Sequence, residues 1–194
     1  MDIKPNTLFY GADSLYLNGE LVKDVVIPDG VTSIGNYAFY GFTSLESITI
    51  PDSVTSIGNF AFTDCTSLTS IAIGNSVTAI GNSAFAHCTS LTGITIPDSV
   101  MSIGKSAFVG CSNLVSITVS PDNYIYYSQG NCLIEKRTNK LIVGCQTSVI
   151  PDGVFSIGDG AFYDCSSLTG ITIPDSVTVI GDWAFYGCSG LTSI

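Results

Sequence analysis

Basic residues are scarce in this chain: six Lys and Arg stand against sixteen Asp and Glu, leaving a formal net charge of -10 over 194 residues. Phosphate backbones are held by clustered cations, so this balance argues against nucleic acid as a partner, and against anionic membrane surfaces for the same reason. The one histidine, His87, removes most nucleophilic catalysis, because Ser-His and Cys-His designs need a base oriented by a third group. G-x-S-x-G, H-E-x-x-H and P-loop patterns are missing. Gly158-Asp159-Gly160 opens a dinucleotide-like pattern without its third glycine. No C-x-x-C pair offers a zinc site. No stretch approaches the ~20 apolar residues of a spanning helix, so membrane insertion is not expected, and residues 1–20 lack the basic start and apolar run of a signal peptide. The chain reads as non-enzymatic, with no catalytic residue, metal or cofactor.

What is present is one sentence written repeatedly. SLESITIPDSVTSIGNFAFTDCT from Ser44 is followed 23 residues later by SLTSIAIGNSVTAIGNSAFAHCT from Ser67, and then by SLTGITIPDSVMSIGKSAFVGCS from Ser90. A unit this short cannot bury an apolar face alone, so copies must stack around one shared core as a repeat solenoid. The pattern L-x-x-I-x-I alternates with period two, which predicts a strand with Ile inward and a parallel sheet along one side of the stack. P-D-S-V-x-x-I-G then turns the chain: Pro51, Pro97 and Pro174 end pairing, and Asp52, Asp98 and Asp175 are suited to Asx-turns on their own backbone. A second short extended segment is expected at V-x-x-I. The N-x-A-F-x-x-C run that follows predicts a short helical turn held by packing, with Phe39, Phe62, Phe85, Phe108, Phe162 and Phe185 in one buried aromatic stack.

The period fails twice. Asn18-Gly19 between apolar residues signals a hairpin, and NCLIEKRTNKLIVGC, centred on Arg137-Thr138-Asn139, signals another that projects from the stack. A single domain over 1–194 is therefore expected, with a hairpin cap at 8–24, regular coils over 25–119, an irregular coil with the hairpin insert over 120–149, and regular coils over 150–194. The sequence stops at Leu191-Thr192-Ser193-Ile194, part-way through a strand. The expectation is a piece of a longer protein, with an uncapped last coil open to end-to-end self-association.

Cys65, Cys88, Cys111, Cys165 and Cys188 share one position of the coil. Parallel Cβ vectors ~4.8 Å apart do not meet the disulfide torsion, so free buried thiols are expected. Cys132 and Cys145 sit at opposite ends of the hairpin arms, where one residue of register separates a disulfide from a miss. The recurring aspartates, with Asn75 in place of one, fit turn formation better than a calcium site.

The unit LxxIxIPDSVxxIGxxAFxxC resembles the repeat of the BspA-like, or treponemal-type, leucine-rich repeat proteins, from about Val22 to Ile194. Phe42 in place of Cys and Gly74-Asn75 in place of Pro-Asp depart from it. The resemblance implies a leucine-rich-repeat right-handed superhelix. It also implies a bacterial, extracellular protein, secreted or held at the cell surface, that binds a protein partner such as an extracellular-matrix or another cell-surface protein, with adhesion as its role.

Function should lie in what the repeat leaves free. Tyr37, Tyr40 and Phe60 in early coils, and Tyr163, Trp183 and Tyr186 in late ones, are not required by the core pattern and suit protein or glycan recognition. Lys136, Arg137 and Lys140 put half of all basic residues at one hairpin tip, suited to an acidic neighbour. Rivals are a structural spacer holding other domains away from a cell wall and, more remotely, an ice-binding face made of outward Ser47, Thr49, Thr95, Ser116, Thr118 and Thr172.

Overall fold

A computed structural model describes residues 15–17 and 19–194. Residues 8–14 and Asn18 of the N-terminal hairpin lie outside the described residues. The chain enters through β1 (Leu15–Leu17) and β2 (Glu20–Val22), paired antiparallel with Leu17 opposite Glu20. Gly19, at φ 84°, supplies a left-handed residue of the kind a two-residue hairpin turn needs.

Each regular coil before the insert contributes two strands, while in the coils after it the I-x-I side is reduced to an isolated parallel bridge between Gly170 and Ser193. The I-x-I segments form β3 (Asp24–Val26), β5 (Ser47–Thr49), β7 (Ser70–Ala72), β9 (Gly93–Ile96) and β11 (Ser116–Val119). The V-x-x-I segments form the two-residue strands β4 (Ser33–Ile34), β6 (Ser56–Ile57), β8 (Ala79–Ile80) and β10 (Ser102–Ile103). All pair parallel at an offset of 23, Ile34 with Ile57 and Ile57 with Ile80, so equivalent side chains stack on themselves and the isoleucines fill the interior. The first set is divided into β3-β5-β7 and β9-β11. At the divide the Thr92 N–H to Thr69 carbonyl bond stretches to 3.5 Å, against 2.9 Å for the equivalent Thr69 and Val115 bonds.

The A-F segments hold no helix, contrary to the sequence expectation. Tyr37, Phe39 and Gly41 send their N–H groups to the following coil, onto the carbonyls of Asn59, Ala61 and Thr63 at 3.0, 2.7 and 2.8 Å. Ala38, Tyr40 and Phe42 bond three residues back within their own coil. A helix would keep every one of these bonds inside one segment. Left-handed residues at Tyr37 (φ 58°) and Gly41 (φ 74°) bracket the three residues Ala38-Phe39-Tyr40 and stop a helix from propagating.

The phenylalanines stack as two runs rather than one: Phe39, Phe62, Phe85 and Phe108 with centroids 5.0–5.3 Å apart, then Phe162 on Phe185 at 5.0 Å. The break is the insert, where Gly144 takes the slot a phenylalanine would hold. Its N–H donates to the Ala161 carbonyl at 2.8 Å, as Phe85 does to Ala107. A Cβ there would stand 2.0 Å from the Phe162 ring.

The insert is a three-stranded meander, one strand more than the sequence suggests. β12 (Tyr126–Gln129), β13 (Cys132–Glu135) and β14 (Lys140–Val143) run antiparallel in turn. β14 then pairs parallel with β15 (Ser156–Ile157), and β15 with β16 (Val179–Ile180). The returning arm of the hairpin thus takes the place of a coil's second strand. β10 is left at a sheet edge, and Tyr126 covers it: the Ile103 N–H donates to the Tyr126 hydroxyl at 3.0 Å.

Asn123, almost wholly buried, anchors this junction. Its Nδ2 donates to the Pro97 and Val100 carbonyls at 2.7 and 2.9 Å, and its Oδ1 accepts from the N–H groups of Ile125 and Tyr126 at 2.9 and 2.8 Å. Both hydrogens and both lone pairs are used. Asn123→Ala strands several buried groups at once, so urea denaturation should show a loss of at least about 2–3 kcal/mol. Tyr124→Ala next to it should cost less than about 0.5 kcal/mol.

Candidate functional site

The turn face is built by a backbone that repeats two left-handed residues in every regular coil. The first slot, after G-N or its equivalent, holds Tyr37, Phe60, Ser83, Ser106, Gly160 and Trp183 at φ between 51° and 60°. The second, just before the cysteine position, holds Gly41, Asp64, His87, Gly110, Asp164 and Gly187. The ladder that fixes this geometry runs through the residue ahead of the first slot. Asn36 Oδ1 accepts from the Asn59 N–H at 2.7 Å, Asn59 from Asn82 at 2.8 Å, Asn82 from Lys105 at 2.8 Å, and Asp159 from Asp182 at 3.1 Å. Asp52 acts the same way, accepting from the Asn75 N–H at 2.6 Å. This corrects the Asx-turn reading for Asp52: the carboxylate bonds the next coil rather than its own, and its turn is closed by the Val54 N–H on the Pro51 carbonyl.

On this face Tyr37 and Phe60 lie flat on each other, centroids 5.0 Å apart and planes within 6°, with Tyr40 tilted against Tyr37 at 5.9 Å. Thr63, Asp64 and His87 continue the shallow depression these rings open into. Tyr163 stacks on Tyr186 at 5.0 Å. The two aromatic groups, remote in sequence, are joined by His87, whose imidazole meets Tyr163 edge-on at 6.3 Å. Gly110 leaves room for the imidazole: a Cβ there would lie 2.3 Å from His87 Nδ1. Trp183 projects separately and is 74% exposed. As the one histidine of the sequence, His87 has no partner there that marks it out. The signal that it belongs to a constrained slot was the company it keeps, Gly, Asp, Gly, Asp and Gly at the same position.

Lys136, Arg137 and Lys140 sit elsewhere, at the β13–β14 tip on the flank of short strands. Lys136 Nζ donates to the Asn123 carbonyl, so one of the three cations is tied back to the insert. The tyrosines before the insert also divide: Tyr126 is buried in the junction and Tyr124 is exposed.

All seven cysteines are free, and all but Cys188 are buried. Their shared position has a use the sequence did not reveal. Cys65, Cys88, Cys111 and Cys188 donate Sγ–H to the carbonyls of Phe39, Phe62, Phe85 and Phe162 in the preceding coil, at 3.0–3.2 Å. Phe42 replaces cysteine in the first coil, where the matching carbonyl would be residue 16 in β1, a strand rather than a turn. Cys132 and Cys145 are not bridged: the register of β13 and β14 pairs Leu133 with Val143, and the two thiols turn to different carbonyls, those of Val149 and Asn131. The outward hydroxyls meant for the ice-binding reading bond along the stack: Thr95 to Thr118 at 3.0 Å, and Thr118 to the Ile94 carbonyl at 3.1 Å. Among the described residues no group of three or more His, Cys, Asp or Glu could hold a metal, and no helix is long and apolar enough to cross a membrane.

Stacked parallel strands at a 23-residue offset, with a leucine and paired isoleucines inside every coil, define a leucine-rich-repeat solenoid. The profile of the BspA type leucine rich repeat region matches six copies over residues 12–132 and 139–194, and the chain belongs to that family. Solved structures similar to it include a leucine-rich repeat protein from Eubacterium ventriosum, at 27% identity and TM-score 0.62 over 88% of this chain and 59% of that one. The pneumococcal vaccine antigen PcpA matches at 22% identity and TM-score 0.74, over 87% of this chain and 49% of that one. The Treponema pallidum leucine rich repeat protein matches at 27% identity and TM-score 0.51, over 87% and 78%. This chain thus spans about half to three-fifths of the length of the first two. No curated protein sequence matches it.

Burial pushes the thiols of Cys65, Cys111 and Cys165 up from 9.0 to about 12, with neighbouring charges and backbone bonds as smaller influences. Between pH 9 and 12 the folded chain therefore keeps protons that the unfolded chain releases, so stability falls as pH rises through that window and is unaffected by these groups below it. Urea midpoints measured from pH 8 to 11 should decline, and Cys111→Ala should decline less steeply than the parent chain while being less stable at pH 8.

Proposed function

We propose that this chain is a non-enzymatic binding scaffold, secreted or held at a bacterial cell surface, that attaches to a protein partner through its turn face and acts in adhesion. Family membership supports the scaffold, since leucine-rich repeats generally present surfaces to proteins, and the family resemblance supports the surface location.

One observation carries the choice of face. Tyr37, Phe60 and Trp183 occupy left-handed backbone sites, where a bulky side chain costs about 1–3 kcal/mol of strain that glycine avoids. Gly160 fills the same slot at φ 60°, so the turn itself does not call for an aromatic ring. The Tyr37–Phe60 stack returns roughly 0.5–1.5 kcal/mol. Trp183 stacks on no other ring among the described residues, and three-quarters of its surface meets water. Rigid aromatic side chains held outward at a cost to folding are what recognition sites use.

The test is binding of the chain to immobilised extracellular-matrix proteins. Substituting Tyr163, Trp183 and Tyr186 together by alanine should weaken affinity by at least about 30-fold, the scale of an interface hot spot, with the melting temperature little changed. Affinity unchanged by that variant refutes the face. No affinity in the parent chain favours the spacer role.

A further inference from the structure

A second exposed surface lies on the opposite logic, where the threonine row of the short strands fails. Thr55, Thr78 and Thr178 each donate Oγ1 to the carbonyl of the coil before, at 3.1–3.3 Å. Met101 and Phe155 stand in that row on either side of the insert, forgo the bond, and are 61% and 53% exposed. Tyr124, 91% exposed, shares one shallow groove with Met101 and with a single carboxylate, Asp98, so this groove suits the apolar side chains of an occupant and the tip suits its acids. Backbone bonds hold the hairpin tip between these apolar groups: the Lys136 N–H donates to the Ile125 carbonyl at 2.8 Å, and the Phe155 N–H to the Asn139 carbonyl at 3.0 Å. Charge concentrates at the same place. Residues 135–140 carry three cations and one carboxylate, and that carboxylate, Glu135, already accepts the Thr138 hydroxyl. The ion pair found among the described residues is Lys23 with Glu46. Arg137 makes no ion pair among the described residues, and Lys140, half-buried, stands directly opposite Glu135 across the two strands, so the tip keeps a net positive charge on a chain whose net charge is -10.

We propose that the β13–β14 tip, with Tyr124 and Phe155 flanking it, docks an acidic peptide segment bearing apolar side chains on a protein partner. Charge complementarity selects the occupant. An acidic segment is repelled by most of this chain and attracted here, so the tip fixes where it lands while Tyr124, Met101 and Phe155 take its apolar side chains. The Lys136 bond to the Asn123 carbonyl fastens the tip to the buried junction, so little ordering is left for binding to impose.

The probe is a fluorescein-labelled peptide of Asp and Glu interspersed with Leu, followed by anisotropy against the same peptide with Lys in place of every acid. The acidic peptide should bind and the basic one should not. Arg137→Glu with Lys140→Glu should weaken binding about tenfold or more, Tyr124→Ala with Phe155→Ala several-fold, and salt near 1 M, with a Debye length of about 3 Å, should weaken it further. Arg137→Gln with Lys140→Gln, melting as the parent does, separates lost charge from lost fold and should also bind more weakly. The proposal is overturned by equal binding of the two peptides, by absence of binding, or by charge-reversed protein that binds as well as the parent. A dimer seen by sedimentation that charge reversal abolishes would also overturn it, in favour of a second copy as the occupant.

Discussion

Every regular coil in this protein is finished by its neighbours. Along the turn face alternate N–H groups leave the coil for the next one, as Phe39 does to Ala61 and Phe62 to Ala84, and the side chains that look most chemical close the remaining gaps. The asparagine of G-N accepts an N–H from the coil after it, and the cysteine gives its thiol proton to a phenylalanine carbonyl in the coil before it. A backbone polar group buried without a partner costs about as much as a lost hydrogen bond. One coil alone carries several such groups, and the 23-residue register settles nearly all of them together. Register is therefore the constraint on which the rest depends: a shift of one residue would misplace the isoleucines, the Asn ladder and the thiols in a single step.

The insert shows what that constraint permits. A coil can be lengthened provided the next coil still meets a strand, a turn carbonyl and a packed slot of the right shape. β14 supplies the strand, Gly144 supplies the N–H for Ala161 and leaves room for the Phe162 ring, and Tyr126 and Asn123 satisfy what β10 would otherwise have left open. The cost is local, in a broken phenylalanine stack and in Met101, Tyr124 and Phe155 turned to water. Irregularity is thus confined to groups the register does not use.

Much of this was legible in the sequence, for a physical reason. Inward positions recur because each must pack on its own copy, so the isoleucine strands and the buried phenylalanines can be read from periodicity, and the antiparallel hairpins from turn residues between apolar arms where the period fails. The helical turn at A-F was misread because a bond that leaves the coil leaves no trace within a single repeat. Left-handed positions were the available clue, in the run of Gly41, Asp64, His87, Gly110, Asp164 and Gly187. Cys65 reads correctly as a free buried thiol and Asp52 as a turn residue, but what each bonds lies in another coil, 26 and 23 residues away, so the repeat names no acceptor for the thiol and points the carboxylate at its own turn. Tyr124 and Tyr126 could not be told apart, because only the junction's three-dimensional closure decides which ring is inside.

The candidate surfaces follow from the same division. Where register dictates a residue, its chemistry is spent: the thiols and hydroxyls point along the stack and the ladder asparagines accept from the next coil. Where register dictates only a backbone conformation, the side chain is free to be chosen for something else. Tyr37, Phe60 and Trp183 share a left-handed site with Ser83, Ser106 and Gly160. Packing accounts for the serines and the glycine, and it does not account for a tryptophan held largely in water. The Tyr37–Phe60 stack offsets part of the strain at its two sites, whereas Trp183 has no such return, which is why contact with another molecule is the reason proposed for it.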